Sequence, residues 1–130
     1  MSYASDDAPG IVLVIDDDAM MTDLIKEILI DDGHDVHIAN DGHTGVRMAG
    51  EVKPDLVLMD ITMPGLDGYE ATKLIKQVPE LREIPIVFLT GRTNLEDSNR
   101  AFAHGGVSYV RKPFTCQQIK DLVKLALAAV

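Results

Sequence analysis

The chain has 130 residues, the length of one domain, and 46% of them are apolar, as in ordinary globular proteins. Its apolar runs are much shorter than a membrane span, and its first residues lack the features of a signal peptide, so the sequence predicts a soluble, cytoplasmic protein. The formal net charge of −9 disfavours direct binding to nucleic acid or to an anionic membrane, and it favours proteins or cations as partners.

Strand-like and helix-like segments alternate along the chain. Residues 1–10 are small and polar and predict a flexible tail, which leaves residues 11–130 as the domain. Apolar runs predict strands at 11–15, 34–39, 56–59, 86–89 and 107–110. The helical spacing of apolar residues, together with Gly and Pro stops, predicts helices at 19–30, 42–52, 68–77, 95–104 and 115–130.

The order of these segments predicts the fold. Five strands that alternate with five helices are typical of an α/β protein, in which helices cover both faces of a doubly wound parallel sheet. Val36 and Ile38 alternate with Asp35 and His37 in the second strand. Such alternation indicates a strand at the edge of the sheet, whereas the unbroken apolar runs indicate strands buried on both faces.

Four residues in the predicted helices receive structural roles. Met20 and Met21 follow the helical spacing of the first helix, and we expect them to fill the core rather than to bind a ligand. Thr115 is the predicted N-cap of the last helix. Cys116 is the chain's one cysteine, so it cannot form an internal disulfide, and we expect it to be a small packing residue.

Polar side chains stand at the ends of four predicted strands. Asp16 and Asp17 follow the first strand, Asp60 ends the third, Thr90 ends the fourth and Lys112 lies just beyond the fifth. The carboxyl ends of parallel strands meet at one edge of the sheet, and open α/β sheets bind their ligands at that edge. We therefore expect these side chains to form one site.

The composition of this predicted site indicates its chemistry. Three carboxylates at one edge repel one another unless a cation neutralises them, and ligands that are all oxygen indicate Mg²⁺ or Mn²⁺ rather than Zn²⁺. A carboxylate can also act as the nucleophile in phosphoryl transfer. The Lys112 ammonium and the Thr90 hydroxyl suit the oxygens of a phosphoryl group, so the pattern predicts a metal-dependent phosphoryl site.

The chain resembles the response-regulator receiver domains of two-component signalling, of the CheY type, over nearly its whole length. The resemblance is carried by LVIDDD at the acidic pair, MDITMPGLDG around Asp60, FLTG at Thr90 and YVRKPF at Lys112. It implies that residues 11–130 form one receiver domain with a flavodoxin-like (βα)5 fold. It also implies the strand order 2-1-3-4-5, for which CheY is a known example.

The resemblance implies a role for each residue of the site. Asp60 would be the phosphoacceptor. Asp17 and Asp60 would bind Mg²⁺ directly, together with the backbone carbonyl of Thr62, and Asp16 would bind it through water. Lys112 would pair with the acyl phosphate, and the peptide bond after it would be cis.

A signalling switch follows from the same resemblance. It would be no enzyme apart from catalysing the phosphorylation and dephosphorylation of its own Asp60, and the phosphoryl group would come from a histidine kinase or a histidine phosphotransfer protein. Tyr109 occupies the position of the family's aromatic switch residue. On phosphorylation, Thr90 and Tyr109 would change the conformation of the face built from the fourth predicted helix, the fifth strand and the fifth helix. A downstream protein target or output domain would bind that face, and phosphorylation could produce a homodimer.

Three other functions are alternatives to the switch. A phosphorylation-independent interaction module could share the fold, but the acids, Thr90 and Lys112 would then have no use. A haloacid-dehalogenase-like phosphatase also uses a nucleophilic Asp and Mg²⁺, yet its signature has a second Asp where this chain has Thr62. A flavin carrier is disfavoured because the aspartates after the first strand would repel the flavin phosphate.

Overall fold

The computed structural model describes residues 9–91, 105–106 and 108–128. One parallel sheet contains β1 (Ile11–Ile15), β2 (Asp35–Ala39), β3 (Leu56–Asp60), β4 (Ile86–Thr90) and β5 (Ser108–Arg111). The strand order is β2-β1-β3-β4-β5, which confirms the order implied by the resemblance and the edge position of the second strand. In register, Ile15 lies beside Ala39 on one side and Met59 on the other, so β1 and β2 end together and β3 extends one residue further, to Asp60.

Helices cover the sheet between the strands. They are α1 (Ala19–Asp31), α2 (Gly42–Val52), α3 (Gly68–Lys76) and the C-terminal helix (Cys116–Ala128), with a short 3₁₀ helix at Pro79–Leu81. The fourth predicted helix, at 95–104, lies outside the described residues. No helix in the described part of the chain is long and apolar enough to cross a membrane.

The sheet has an apolar core on each face. Leu13, Met59 and Phe88 belong to one core cluster, which also contains Ala49 of α2 and Ile75 of α3. A second cluster joins Val12, Val14 and Leu58 of the sheet to Ile25 of α1 and Ile119 of the C-terminal helix. The sheet is therefore doubly wound, and the apolar runs of β1, β3 and β4 are unbroken because both of their faces are covered.

The amino end of β1 is held by its two neighbouring strands. Residues 1–8 of the predicted tail lie outside the described residues. Gly10, which the sequence pattern assigns to the tail, is buried, and its N–H donates to Nδ1 of His34 over 3.1 Å. The N–H of Ile11 donates to Oδ2 of Asp55 over 2.8 Å. These bonds fix the chain one residue before the strand begins.

Side chains cap the helices that begin at the carboxyl edge of the sheet. Asp18 is the N-cap of α1 and accepts hydrogen bonds from the N–H groups of Met20 and Met21. The prediction for Thr115 is confirmed, because its Oγ1 accepts from the Gln118 N–H over 3.1 Å while Gln118 Oε1 accepts from the Thr115 N–H over 2.8 Å. Each cap satisfies backbone donors that the helix itself leaves unpaired.

Two of the predicted packing roles are wrong. Met20 is 83% exposed, because it lies about 140° around the helix axis from Ile25, which faces the core. Met21 is half-buried and packs against the second core cluster, as predicted. Cys116 is exposed, because it lies in the first turn of its helix, before the helix reaches the core at Ile119.

Candidate functional site

Three carboxylates meet at the carboxyl edge of the sheet, as the sequence predicts. Asp16 and Asp17 follow β1, and Asp60 ends the neighbouring strand β3. One oxygen atom from each of the three side chains lies within 4.8 Å of the others. Asp16 and Asp60 are buried, whereas Asp17 is exposed, so the cluster is open to solvent on the side of Asp17.

The position of Asp60 is fixed by its strand and by the loop that follows. The Ile61 N–H donates to the Leu89 carbonyl over 3.1 Å, and the Gly68 N–H donates to the Ile61 carbonyl over 2.8 Å. A Cβ at residue 68 would overlap the Asp60 carbonyl oxygen and would lie 2.8 Å from Cα of Ile61. The start of α3 therefore packs directly against the backbone of Asp60, and only glycine permits that approach.

Lys112 joins the two buried carboxylates. Its Nζ lies 2.7 Å from Oδ2 of Asp16 and 3.5 Å from Oδ1 of Asp60. The Lys112 N–H donates to the Thr90 carbonyl over 2.7 Å, which attaches the residue to the end of β4. The peptide bond between Lys112 and Pro113 is cis, as the resemblance implies. The ammonium group thus reaches the carboxylate cluster from the end of β5, the edge strand opposite β2.

The buried charges shift the pKa values of this cluster. Burial and the negative charge of Asp16 raise the pKa of Asp60 to about 7, although the Lys112 charge acts in the opposite direction. Burial alone would lower the pKa of Lys112, but its hydrogen bond and charge interactions with Asp16 and Asp60 outweigh burial and raise it. At neutral pH the site therefore combines a stable cation with a carboxylate whose ionised form is costly.

Thr90 and Tyr109 lie on the same face of the sheet. Phe88 pairs with Tyr109 across β4 and β5, and Thr90 is two residues after Phe88, so all three side chains leave the sheet in one direction. Thr90 is buried, and Tyr109 is half-buried against the first core cluster. Thr62 follows Asp60 in the loop and is exposed.

Sequence reasoning missed one residue at this edge. Asn40 follows β2 directly, and its Nδ2 donates to the Asp16 carbonyl over 2.9 Å. Its position in the sequence could have identified it, because a polar residue directly after the second strand must lie at the same edge of the sheet as the polar residues after the first and third strands. Its partners depend on the approach of two separate segments, which the sequence pattern does not give.

The donor set of this cluster fits a hard divalent cation. All the side chains offer carboxylate oxygen, the ligand that Mg²⁺ and Mn²⁺ prefer. The open side at Asp17 leaves space for water and phosphate oxygens, which a Mg²⁺ site of this type keeps as ligands. A cation would also offset the burial and the repulsion from Asp16 that together raise the pKa of Asp60.

Comparison with known proteins agrees with this geometry. The family model of the response regulator receiver domain matches residues 12–124. The chain belongs to this family. Receiver domains are components of two-component systems, in which phosphorylation switches a signalling state. They are generally not enzymes, and they interact with histidine kinases and output domains.

Two solved structures match the fold of this receiver domain over most of its length. The chemotaxis protein CheY4 of Vibrio cholerae is 26% identical, with a TM-score of 0.87, and the match covers 92% of this chain and 99% of that one. A putative response regulator from Chloroflexus aurantiacus is 30% identical, also with a TM-score of 0.87, over 92% of this chain and 98% of that one.

The curated relatives are longer proteins. The probable transcriptional regulator ycf29 of Porphyra purpurea is 33% identical over 113 residues, which is 87% of this chain and 54% of that protein. The DNA-binding dual master transcriptional regulator RpaA of Synechocystis is 31% identical over 116 residues, which is 89% of this chain and 48% of that protein. The receiver domain thus spans about half the length of the curated relatives it matches.

Proposed function

We propose that this receiver domain is a signalling switch that accepts a phosphoryl group on Asp60 from a histidine kinase or a histidine phosphotransfer protein. The observation that carries the proposal is the position of Asp60, at the end of a central strand and 3.5 Å from Nζ of Lys112. An oxygen of Asp60 attacks the phosphorus atom, and the bond from phosphorus to the donor's histidine nitrogen breaks. Beyond the gain and loss of this group on its own Asp60, the domain catalyses no reaction.

The carboxylate cluster would hold the metal for this transfer. Asp17 and Asp60 would hold Mg²⁺ directly together with the backbone carbonyl of Thr62, Asp16 would hold it through water, and Mn²⁺ could replace Mg²⁺. This division agrees with burial, because the Asp16 side chain is already bonded to Lys112 and to the Asp18 N–H, whereas Asp17 faces solvent. Bound Mg²⁺ supplies positive charge against the phosphoryl oxygens.

Lys112 and Thr90 act on the phosphoryl oxygens. The raised pKa of Lys112 keeps its ammonium charged at every physiological pH, so it can pair with the phosphoryl oxygens once the phosphorus is bonded to an Asp60 oxygen. The Thr90 side chain is buried at the end of the adjacent strand, and its hydroxyl donates a hydrogen bond to the same group. Both side chains stabilise charge, and neither forms a covalent bond.

The signal would leave the site through Tyr109. Movement of the Thr90 hydroxyl toward the phosphoryl group gives space for the Tyr109 ring, which lies on the same face of the sheet, to turn inward. A groove beside Tyr109 separates β5 from the C-terminal helix and is bordered by Leu125, which is 70% exposed. This surface supports partner binding at β5 and the C-terminal helix, and the fourth predicted helix, which the proposed face would also include, lies outside the described residues.

The downstream partner of that face is a protein. It is a target protein, an output domain or a second phosphorylated copy of the chain, and the domain itself contacts neither nucleic acid nor membrane. The net charge of −9 supports this choice, because DNA and anionic lipids would be repelled. We place the domain in the cytoplasm, with residues 11–130 as the receiver unit and residues 1–10 before it as a tail whose last residue, Gly10, is already fixed against His34.

Labelling with a small phosphoryl donor tests the proposal. Phosphoramidate with Mg²⁺ should add one phosphoryl group per chain, and this group should be stable in acid and released by hydroxylamine. Asp60→Asn should abolish the label, while Asp121→Asn, which changes an exposed carboxylate of the C-terminal helix, should leave it unchanged. Labelling of Asp60→Asn at the wild-type rate would exclude the proposal.

A spectroscopic experiment tests the switch separately. Beryllofluoride, which mimics the phosphoryl group, should shift NMR signals at Tyr109 and along the C-terminal helix as well as at the carboxylate cluster. Shifts that stay confined to the cluster would show that Asp60 chemistry is not coupled to the surface at Tyr109.

A further inference from the structure

Asn40 connects three segments at the edge that carries the carboxylates. Its Nδ2 donates to the Asp16 carbonyl over 2.9 Å and to Oγ1 of Thr22 over 3.0 Å. Thr22 is fully buried in α1, and its hydroxyl donates to the Ala19 carbonyl over 3.0 Å. The Asp16 carbonyl can only accept, and Thr22 has given its hydrogen to Ala19, so the amide nitrogen of Asn40 must face both groups.

The Asp16 carbonyl lies just beyond the hydrogen-bonded ladder of β1 and β2. The last paired residues are Ile15 and Ala39, and the Asp16 N–H still donates to the Ala39 carbonyl over 3.1 Å. The Asp16 carbonyl accepts its hydrogen bond from the Asn40 side chain, where a longer β2 would offer a backbone N–H. Both polar groups of the Asp16 backbone are therefore held from the β2 side.

This contact determines how Asp17 leaves the strand. The peptide group is planar, so fixing the Asp16 carbonyl also fixes the direction of the N–H and Cα of Asp17. The Asp16 carboxylate has anchors of its own in the Asp18 N–H (3.0 Å) and Lys112 Nζ (2.7 Å). Asp17 is exposed, so the peptide plane before it constrains where its side chain starts more than packing does.

We propose that Asn40 is a positioning residue for the metal site, because it fixes the Asp16–Asp17 peptide so that the Asp17 carboxylate points toward Asp60. The inference rests on the proposed function, since it assumes that the cluster binds a cation. Loss of an outer contact behind a metal ligand typically weakens affinity about 10–100-fold. Asn40 acts through the backbone of one ligand, so we expect about a tenfold loss, at the low end of that range.

Direct measurement of Mn²⁺ binding tests this inference. The signal of free Mn²⁺ in electron paramagnetic resonance gives the dissociation constant of the full chain and of Asn40→Ala and Asn40→Ser, neither of which can reach the Asp16 carbonyl. We expect both variants to bind Mn²⁺ about tenfold more weakly than wild type. Gln117→Ala is the matched control, because it removes an exposed amide whose Nε2 donates to Asp121 on the C-terminal helix, and its affinity should equal that of wild type.

Phosphorylation kinetics separate positioning from general damage to the fold. In Asn40→Ala, the Mg²⁺ concentration that gives half the maximal rate with phosphoramidate should rise about tenfold. The rate at saturating Mg²⁺ should stay close to that of wild type, because Asp60, Thr90 and Lys112 are unchanged. A variant that only loosens the fold would lose rate at every Mg²⁺ concentration, and circular dichroism shows directly whether it is folded.

The outcomes distinguish this inference from the proposed function. Wild type that binds Mn²⁺ together with Asn40 variants that bind it equally well would overturn the role of Asn40 and leave the metal site intact. Wild type that binds no Mn²⁺ would overturn the metal site and the role of Asn40 with it. If Asn40→Ala does not fold, the affinity of Asn40→Ser decides.

Discussion

Ionised Asp60 should destabilise the metal-free protein, and Asp60→Asn should remove that cost. The pKa of Asp60 is raised from 3.8 to about 7, and one pKa unit corresponds to about 1.4 kcal/mol, so the ceiling on the cost is about 4 kcal/mol. Relaxation of the side chain and entry of water reduce such costs in real proteins, and we therefore expect Asp60→Asn to gain about 2 kcal/mol at pH 8.

The pH dependence gives this prediction its sign. A carboxyl group whose pKa is raised in the folded state keeps its proton to a higher pH there than in the unfolded chain. The cost is therefore absent below about pH 3.8, grows as the pH rises and is complete above about pH 7. The advantage of Asp60→Asn over wild type should be largest at pH 8 and should fall to less than half of that value at pH 5.

Urea melts in EDTA at both pH values measure the free energy of unfolding. Asp121→Asn is the control, because it makes the same chemical change at an exposed site, and it should differ from wild type by less than about 0.5 kcal/mol. An Asp60→Asn protein that is less stable than wild type at pH 8, or an advantage that does not change with pH, would refute the reasoning.

Three further substitutions test the contacts around the cluster. Gly68→Ala should lower the unfolding free energy by about 2 kcal/mol because its Cβ would overlap the backbone, whereas Gly50→Ala, with open space around it, should be neutral or stabilising in the same urea melts. Lys112→Ala leaves a buried carboxylate without its cation and should cost about 2 kcal/mol in urea melts, against less than about 1 kcal/mol for the exposed ion pair of Lys53. Asp17→Asn should lose most of the stabilisation that wild type gains from millimolar Mg²⁺, measured as a shift in melting temperature.

The three central strands were predictable from sequence because they are buried on both faces. The runs that became β1, β3 and β4 contain no polar interruption, and the polar residue that ends each run marks the edge of the sheet. The fifth strand ends at Arg111, one residue later than predicted, because a charged residue does not continue an apolar pattern. The convergence of Asp16, Asp60 and Lys112 followed from parallel topology alone.

Other features depend on contacts that a one-dimensional pattern does not contain. α1 carries two apolar series, one through Met20 and one through Met21, and the pattern does not reveal which of them faces the sheet. The role of Asn40 requires the end of β2 to meet the first turn of α1, and that distance exists only in the folded chain. The pKa of Asp60 likewise depends on its burial beside Asp16.

The chemical identity of the phosphorylated residue decides whether Asp60 is the phosphoacceptor. After phosphoramidate treatment with Mg²⁺, reduction with borohydride converts an aspartyl phosphate to homoserine, and peptide mass spectrometry finds the converted residue. We predict conversion at Asp60 and at no other carboxylate, with none in samples that were not phosphorylated. Conversion at Asp16 or Asp17 instead, or phosphate on a serine, threonine or histidine with Asp60 unchanged, would contradict it.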